Sequence, residues 1–182
     1  LLQTQSDGSV RMMDFFDEQR MSRLYEKFIL EYYRREHPRL RASASFVEWA
    51  LDDGMSEGLP AMRSDITLSV GGRVLIIDAK YYKSTMQSNF DKKTVHSGNL
   101  YQIFAYVKNK QAVLERAGEG TEVSGMLLYA ATDEEVQPDV TYRMSGNQIG
   151  VRTLDLDRPF EEIRAQLDGI ADMLTSPSAS AS

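Results

Sequence analysis

Residues 59–80 read LPAMRSDITLSVGGRVLIIDAK, two apolar-rich runs on either side of Gly71 and Gly72. A Gly-Gly pair readily takes the positive φ angles of a tight hairpin, so residues 62–70 and 73–80 are predicted to pair as antiparallel strands. With the glycines as the two loop residues, Val70 faces Arg73, and the same register sets Asp65 opposite Asp78. Two carboxylates then share one face of the hairpin.

Directly opposed side chains have Cβ atoms about 5 Å apart, and like charges at that distance ask for a cation between them. Lys80 follows Asp78 by two residues, which in a strand puts it on the same side. An Asp, an Asp and a Lys therefore converge at the end of the apolar run 74–77. Hard oxygen ligands suit Mg²⁺ or Mn²⁺, and a Mg²⁺ site takes one or two protein carboxylates together with water and phosphate oxygens. This is equipment for phosphodiester hydrolysis. The competing reading is a solvated rim, the ordinary fate of charge at a strand end, and one register slip would turn Asp65 to the other face. Against the rim stand LIID, where a charge directly ends an apolar run, and the second acid at matching depth.

At 182 residues and 42% hydrophobic, the chain is expected to be one globular domain with a substantial core. It has no cysteine, which excludes disulfides, thiolate zinc sites and a cysteine nucleophile, and its two histidines, His37 and His96, stand far apart. Metal chemistry here rests on carboxylates. No run approaches the roughly 18 apolar residues of a membrane-spanning helix and nothing at the start reads as a signal peptide, so a cytoplasmic protein with no membrane partner is expected. The chain opens at Leu1 rather than Met, which suggests a piece of a longer protein.

A net charge of −6 disfavours general nucleic-acid binding. Residues 80–110 nevertheless carry six lysines against the single acid Asp91, while residues 111–182 carry thirteen acids and five arginines. A basic segment beside the acid pair could contact phosphates, and the acidic remainder limits unaided affinity, which points to a partner.

Residues 1–13 show no clean period and carry a turn signal at Asp7-Gly8, so a loop, a short hairpin or the remnant of an upstream region is expected there. From Asp17, with Asp14 or Asp17 as cap, Met21, Leu24, Tyr25, Phe28 and Tyr32 mark one face of an amphipathic helix ending near His37-Pro38. Glu26 falls beside this stripe, either within reach of a neighbouring site or as a solvated partner of Arg23 or Lys27. Residues 42–51 read as a strand with Trp49 toward the core. The polar, lysine-rich stretch after Lys80 reads as a long functional loop. In it, Lys83, Lys92, Lys93 and His96 either track a phosphate backbone or are ordinary solvated charge.

A second helix over residues 99–110 sets Leu100, Ile103, Phe104 and Val107 in a core stripe, with Asn99, Gln102 and Tyr106 alongside. Residues 124–131 read as a buried strand, and 140–145 and 148–156 as two more that extend the sheet. Residues 159–174 form a last helix with Phe160, Ile163, Leu167, Ile170 and Leu174 inward, and 175–182 a disordered tail. The order helix, strands, helix, strand predicts an α/β domain with a mixed central sheet.

Pro60, Asp65 and Asp78-Ala79-Lys80 resemble the PD-(D/E)XK nuclease core, with the proline five positions before the acid instead of adjacent to it. More specific are LPAMRSDITL, LIIDAKYYK and, over residues 97–109, SGNLYQIFAYVKN. Together they resemble the nuclease domains of the McrC family, the cleavage subunits of McrBC modified-cytosine restriction systems, within a nuclease domain expected over residues 14–174. The resemblance implies a restriction-endonuclease-like fold, with a mixed central sheet flanked by helices, and Mg²⁺-dependent cleavage of double-stranded DNA, Mn²⁺ serving as a substitute. Asp65, Asp78 and the Ala79 carbonyl would hold the ion, and Lys80 would place the attacking water or neutralise charge on the phosphate. Gln102 and Tyr106 look like a Gln-x-x-x-Tyr element that orients phosphate or lysine, and LYEKF matches the family pattern at Glu26, implying an assisting glutamate near or on the metal.

No Walker-type phosphate loop occurs in the chain. The resemblance implies a separate motor, a McrB-like GTP-driven AAA+ ring, engaged through a segment upstream of the nuclease domain that is expected to lie outside this chain. Two other readings stay open: a nuclease-like adaptor that recruits a motor without cleaving, and a stand-alone nuclease for branched or single-stranded DNA.

Overall fold

The structure, a computed structural model, describes residues 2–82, 86–89, 92–133 and 137–176, without the side chains of residues 2–11, 13–14, 86–89 and 92–94. In chain order the elements are α1 (Leu2–Glu36), β1 (Phe46–Val47), β2 (Met62–Arg63), β3 (Ile66–Val70), β4 (Arg73–Lys80), β5 (Met86–Asn89) and β6 (Lys92–Val95). There follow α2 (Ser97–Arg116), β7 (Glu122–Ala130), β8 (Val140–Met144), β9 (Asn147–Leu154) and α3 (Phe160–Thr175).

The run RVLIIDAK forms β4, buried from Val74 through Ala79, as a strand covered on both faces must be. It pairs antiparallel with β3 through Gly71 and Gly72, both at positive φ, and Val70 faces Arg73 as the sequence requires. On its other side β4 runs parallel to β7, β7 runs parallel to β9, and β8 closes the far edge antiparallel to β9. The sheet order is β3-β4-β7-β9-β8, a mixed five-stranded sheet flanked by helices, consistent with the restriction-endonuclease-like fold.

Alternation along β4 sends Leu75, Ile77 and Ala79 to one face and Val74, Ile76, Asp78 and Lys80 to the other. The first face is covered by α1 and α3 through Tyr25, Ile29, Tyr33, Leu167 and Ile170, the second by α2 through Ile103 and Val107. The Tyr25 hydroxyl donates to Leu128 O at 3.2 Å and the Tyr33 hydroxyl to Leu167 O at 3.0 Å, which satisfies two buried phenols and ties α1 to the sheet and to α3. Helix α2 packs on β7 at Gly125, where an added Cβ would lie 2.7 Å from Val107 Cγ2 and 2.8 Å from Ile103 Cγ1. A side chain there would push the helix off the sheet face that carries Asp78.

Several local expectations are corrected. Residues 2–13 are helical, not a loop or hairpin, because a single interior glycine costs only about 1 kcal/mol and does not outweigh a continuing helix. Asp14 and Asp17 consequently lie inside α1, not at its start. The buried residues of α1 are Tyr25, Ile29, Tyr32 and Tyr33, while Met21 and Leu24 are exposed, so the covered face is rotated toward the side on which Glu26 stands.

The strand expected over residues 42–51 contracts to β1, paired with β2, and Trp49 donates its indole N–H to Pro60 O at 2.8 Å. The stretch after Lys80 contains a two-stranded hairpin, β5 with β6, where a loop was expected. Phe160 is 56% exposed at the start of α3 and does not join the core. The tail beyond Ser176 lies outside the described residues. Among those described, no helix is long and apolar enough to cross a membrane.

Candidate active site

The chain bends at Asp65, and the Asp65 carboxylate accepts the Ala79 N–H at 2.9 Å. A side chain thus takes the hydrogen bond that the next rung of the β3–β4 ladder would have supplied. The N–H and C=O of a residue in such a rung point to the same edge, so the Ala79 carbonyl also faces this gap. Ser64 holds the bend from behind, its buried hydroxyl 2.8 Å from Thr67 Oγ1 and donating to Ser45 O at 3.1 Å. The opposition of Asp65 and Asp78 expected from the register survives, with Asp65 one step beyond the ladder.

Asp78 is 3% exposed. Lys80 Nζ donates to its Oδ1 at 3.0 Å, while its buried Oδ2 has no hydrogen-bond partner among the described residues. A buried carboxylate oxygen in that state is costly unless a proton or a cation takes it. Burial, opposed by Lys80 and reinforced by Asp65, pushes the Asp78 pKa up to about 7. Burial works against the Lys80 ammonium, but the Asp78 carboxylate beside it prevails and holds its pKa above the ordinary lysine value. The charged, donating form of Lys80 is thereby favoured.

Lys80 Nζ also reaches Gln102 Oε1 at 3.4 Å, and Gln102 Nε2 donates to Tyr106 Oη at 2.8 Å. Gln102 and Tyr106 are one turn apart on α2, the spacing at which helix side chains meet. Tyr106 is buried, and its hydroxyl anchors Gln102. Asn99, the third member of the polar stripe on α2, donates to Tyr129 Oη at 2.9 Å, a partner the sequence did not reveal, and accepts from Tyr82 Oη at 3.3 Å. Tyr129 faces Lys80 across the β4–β7 ladder, hidden in the sequence inside an apolar run.

Glu26 reaches the acids from α1, on the opposite face of the sheet. Burial and the nearby Asp65 carboxylate raise its pKa, against a hydrogen bond from Ser22 at 3.4 Å and the charges of Lys80 and Arg23. Among the described residues no three His, Cys, Asp or Glu side chains converge into a metal-holding group. Glu26 stands within electrostatic reach of Asp65 and lines the same cleft. The donor set of Asp65, Asp78 and the Ala79 carbonyl, with one orphaned buried oxygen, fits a hard divalent ion that takes one or two protein carboxylates.

The basic residues are less complete. Lys83 lies outside the described residues, and Lys92 and Lys93 are placed on β6 by their backbone alone. His96 precedes α2 with its ring centroid 5.3 Å from that of Tyr82.

Residues 18–130 match the family described as McrBC 5-methylcytosine restriction system component. The chain belongs to this family. It is also 33% identical over 172 residues to the Type IV methyl-directed restriction enzyme EcoKMcrBC of Escherichia coli (strain K12), an alignment that covers 92% of this chain and 47% of the relative. The chain therefore spans about half the length of that relative. Glu26, Asp65, Asp78, Lys80, Gln102 and Tyr106 all lie inside the segment that matches the family. The likeness to McrC read from residues 59–109 is borne out at the level of the family.

Proposed function

We propose that this domain is the Mg²⁺-dependent endonuclease part of a McrBC-type restriction system, hydrolysing phosphodiester bonds of double-stranded DNA in the cytoplasm under the drive of a separate GTPase motor subunit. The observation that carries this reading is the buried Asp78 carboxylate, with one oxygen on Lys80, the other unpartnered, and Asp65 alongside.

Asp65, Asp78 and the Ala79 carbonyl would hold Mg²⁺, or Mn²⁺ in its place. Bound there, the ion would polarise the scissile phosphate and lower the pKa of a water. The remaining work falls to the chain itself. Asp78 must be ionised, which the Lys80 ammonium favours. As water attacks phosphorus and the bond to the leaving oxygen breaks, Lys80 donates to the phosphate oxygens on which charge accumulates. Gln102, held by Tyr106, accepts from the ammonium and fixes its direction. Glu26 assists from α1, where its carboxylate stands within electrostatic reach of Asp65 and Lys80 and could join Asp65 at the ion.

Incubation of duplex DNA with the protein in Mg²⁺ or EDTA, with and without the motor subunit and GTP, tests this reading. Cleavage that requires Mg²⁺ and is stimulated by the motor and GTP is the expected result. Partner binding without cleavage under every condition would leave the adaptor reading, and motor-independent cutting of branched or single strands would leave the stand-alone one.

A further inference from the structure

Beside the acid pair a cleft of about 350 Å³ is lined by residues of α1 and of the segment 63–65. Three cations line it, Arg23 and Lys27 one turn apart on α1 and Arg63 on β2, together with Glu26, Ser64 and Asp65. All three cations are exposed, and none is ion-paired to a described carboxylate. Arg34, Arg116, Arg158 and Arg164 each pair with a neighbouring acid, whereas exposed arginines such as Arg35, Arg39 and Arg143 pair with no described one, so what sets the cleft apart is three cations gathered at one opening beside the acid pair. Three cations against the two carboxylates of Glu26 and Asp65 leave the cleft net positive in a chain of net charge −6, which favours an anion there. The Arg63 guanidinium instead lies 5.7 Å from the ring centroid of Phe46, which is 67% exposed. A cation-stacked, solvent-facing aromatic ring is a platform for a base or sugar.

We infer that this cleft is a phosphate-backbone subsite, in which Arg23, Lys27 and Arg63 hold phosphates of the cleaved DNA strand next to the scissile one while Phe46 packs against an adjacent nucleotide. The inference rests on the nuclease reading of Asp65, Asp78 and Lys80. It supplies a local source of affinity that the acidic chain otherwise lacks, and it sets the direction in which the strand leaves the acid pair, over α1 and β2.

The test compares DNA binding by fluorescence anisotropy in a Lys80→Ala background, which keeps the labelled duplex uncut, with and without Arg23→Gln/Lys27→Gln/Arg63→Gln. Each neutralised phosphate contributes about 0.9 to the slope of log affinity against log salt, so the triple variant is expected to bind at least about 10-fold more weakly with a slope reduced by about 2.7. Arg63→Gln alone is expected to reduce it by about one. Arg143→Gln, an exposed residue of β8 at the opposite edge of the sheet, is expected to change neither. If the background protein binds DNA and the triple variant matches it in affinity and slope, the subsite is overturned and the nuclease reading stands. If DNA binding is unchanged but stimulation by the motor is lost in cleavage assays of the otherwise wild-type triple variant, the cleft belongs to a protein partner and the subsite is again overturned. A protein that binds no duplex even at low salt, with or without the motor, overturns both.

Discussion

Replacing Lys80 with alanine is expected to lower metal-dependent DNA cleavage by at least about 100-fold, the usual loss when a donor aimed at developing charge is removed. The ammonium sits 3.0 Å from Asp78 Oδ1 and 3.4 Å from Gln102 Oε1, so its position is set before any substrate arrives. The same change removes the cation that favours ionised Asp78, so its carboxyl holds its proton more tightly and metal binding moves to higher pH. Folding survives, because the orphaned carboxyl can take up a proton instead of standing as an unpaired buried charge. The two effects separate when calorimetry and cleavage are followed together against pH. Raising the pH is expected to restore metal binding to the variant but not turnover. Recovery of both would reduce Lys80 to a counter-ion for Asp78.

Asp78→Asn is expected to abolish cleavage and, at the same time, to stabilise the metal-free protein above neutral pH. Burial raises the Asp78 pKa from 3.8 to about 7, so the folded state binds this proton more tightly than the unfolded chain does. Stability from this group is therefore fully present below the unfolded value, falls as pH rises between the two, and is lost above about 7. The amide cannot titrate, and it still offers Lys80 an acceptor. Because the amide leaves the partly buried ammonium without a counter-charge, the net gain is expected to be on the order of 1–2 kcal/mol, a rise in melting temperature of about 3–6 °C at about pH 8. At about pH 4 wild type and variant should melt together. Added Mg²⁺ should raise the melting temperature of wild type alone. A variant that melts below wild type at the higher pH would mean that the ionised carboxylate is stabilising in the metal-free fold.

The hairpin and its acids were legible because two independent patterns agreed there. Gly71-Gly72 admits a two-residue turn, and the alternation of RVLIIDAK allows one register that buries Leu75 and Ile77 on one face with Val74 and Ile76 on the other. Once that register holds, Asp65 and Asp78 must meet. The parallel partner β7 was legible only as a buried strand, since nothing local says which edge of β4 it takes. Helix α1 was misread at both levels: Gly8 suggested a turn that the helix overrides, and the stripe from Met21 to Tyr32 competes with one through Tyr25, Ile29 and Tyr33 that only contact with α3 and the sheet selects. The cationic cleft was invisible for a related reason. Arg63 is forty residues from Arg23, and only the bend at Asp65 brings the two elements to one opening. Tyr129 gave no signal either, because a phenol in an apolar run has an ordinary structural use.

The paired acids are the centre of this account, and metal binding tests them without substrate or partner. Titration of the metal-free protein with Mg²⁺ or Mn²⁺ in a calorimeter would compare wild type with Asp65→Asn and Asp78→Asn, each checked for an intact fold by circular dichroism. Binding by wild type that is lost in both variants is the expected result. Equal binding in all three proteins would contradict the shared site and, with it, the assignment of Asp65 and Asp78 to chemistry.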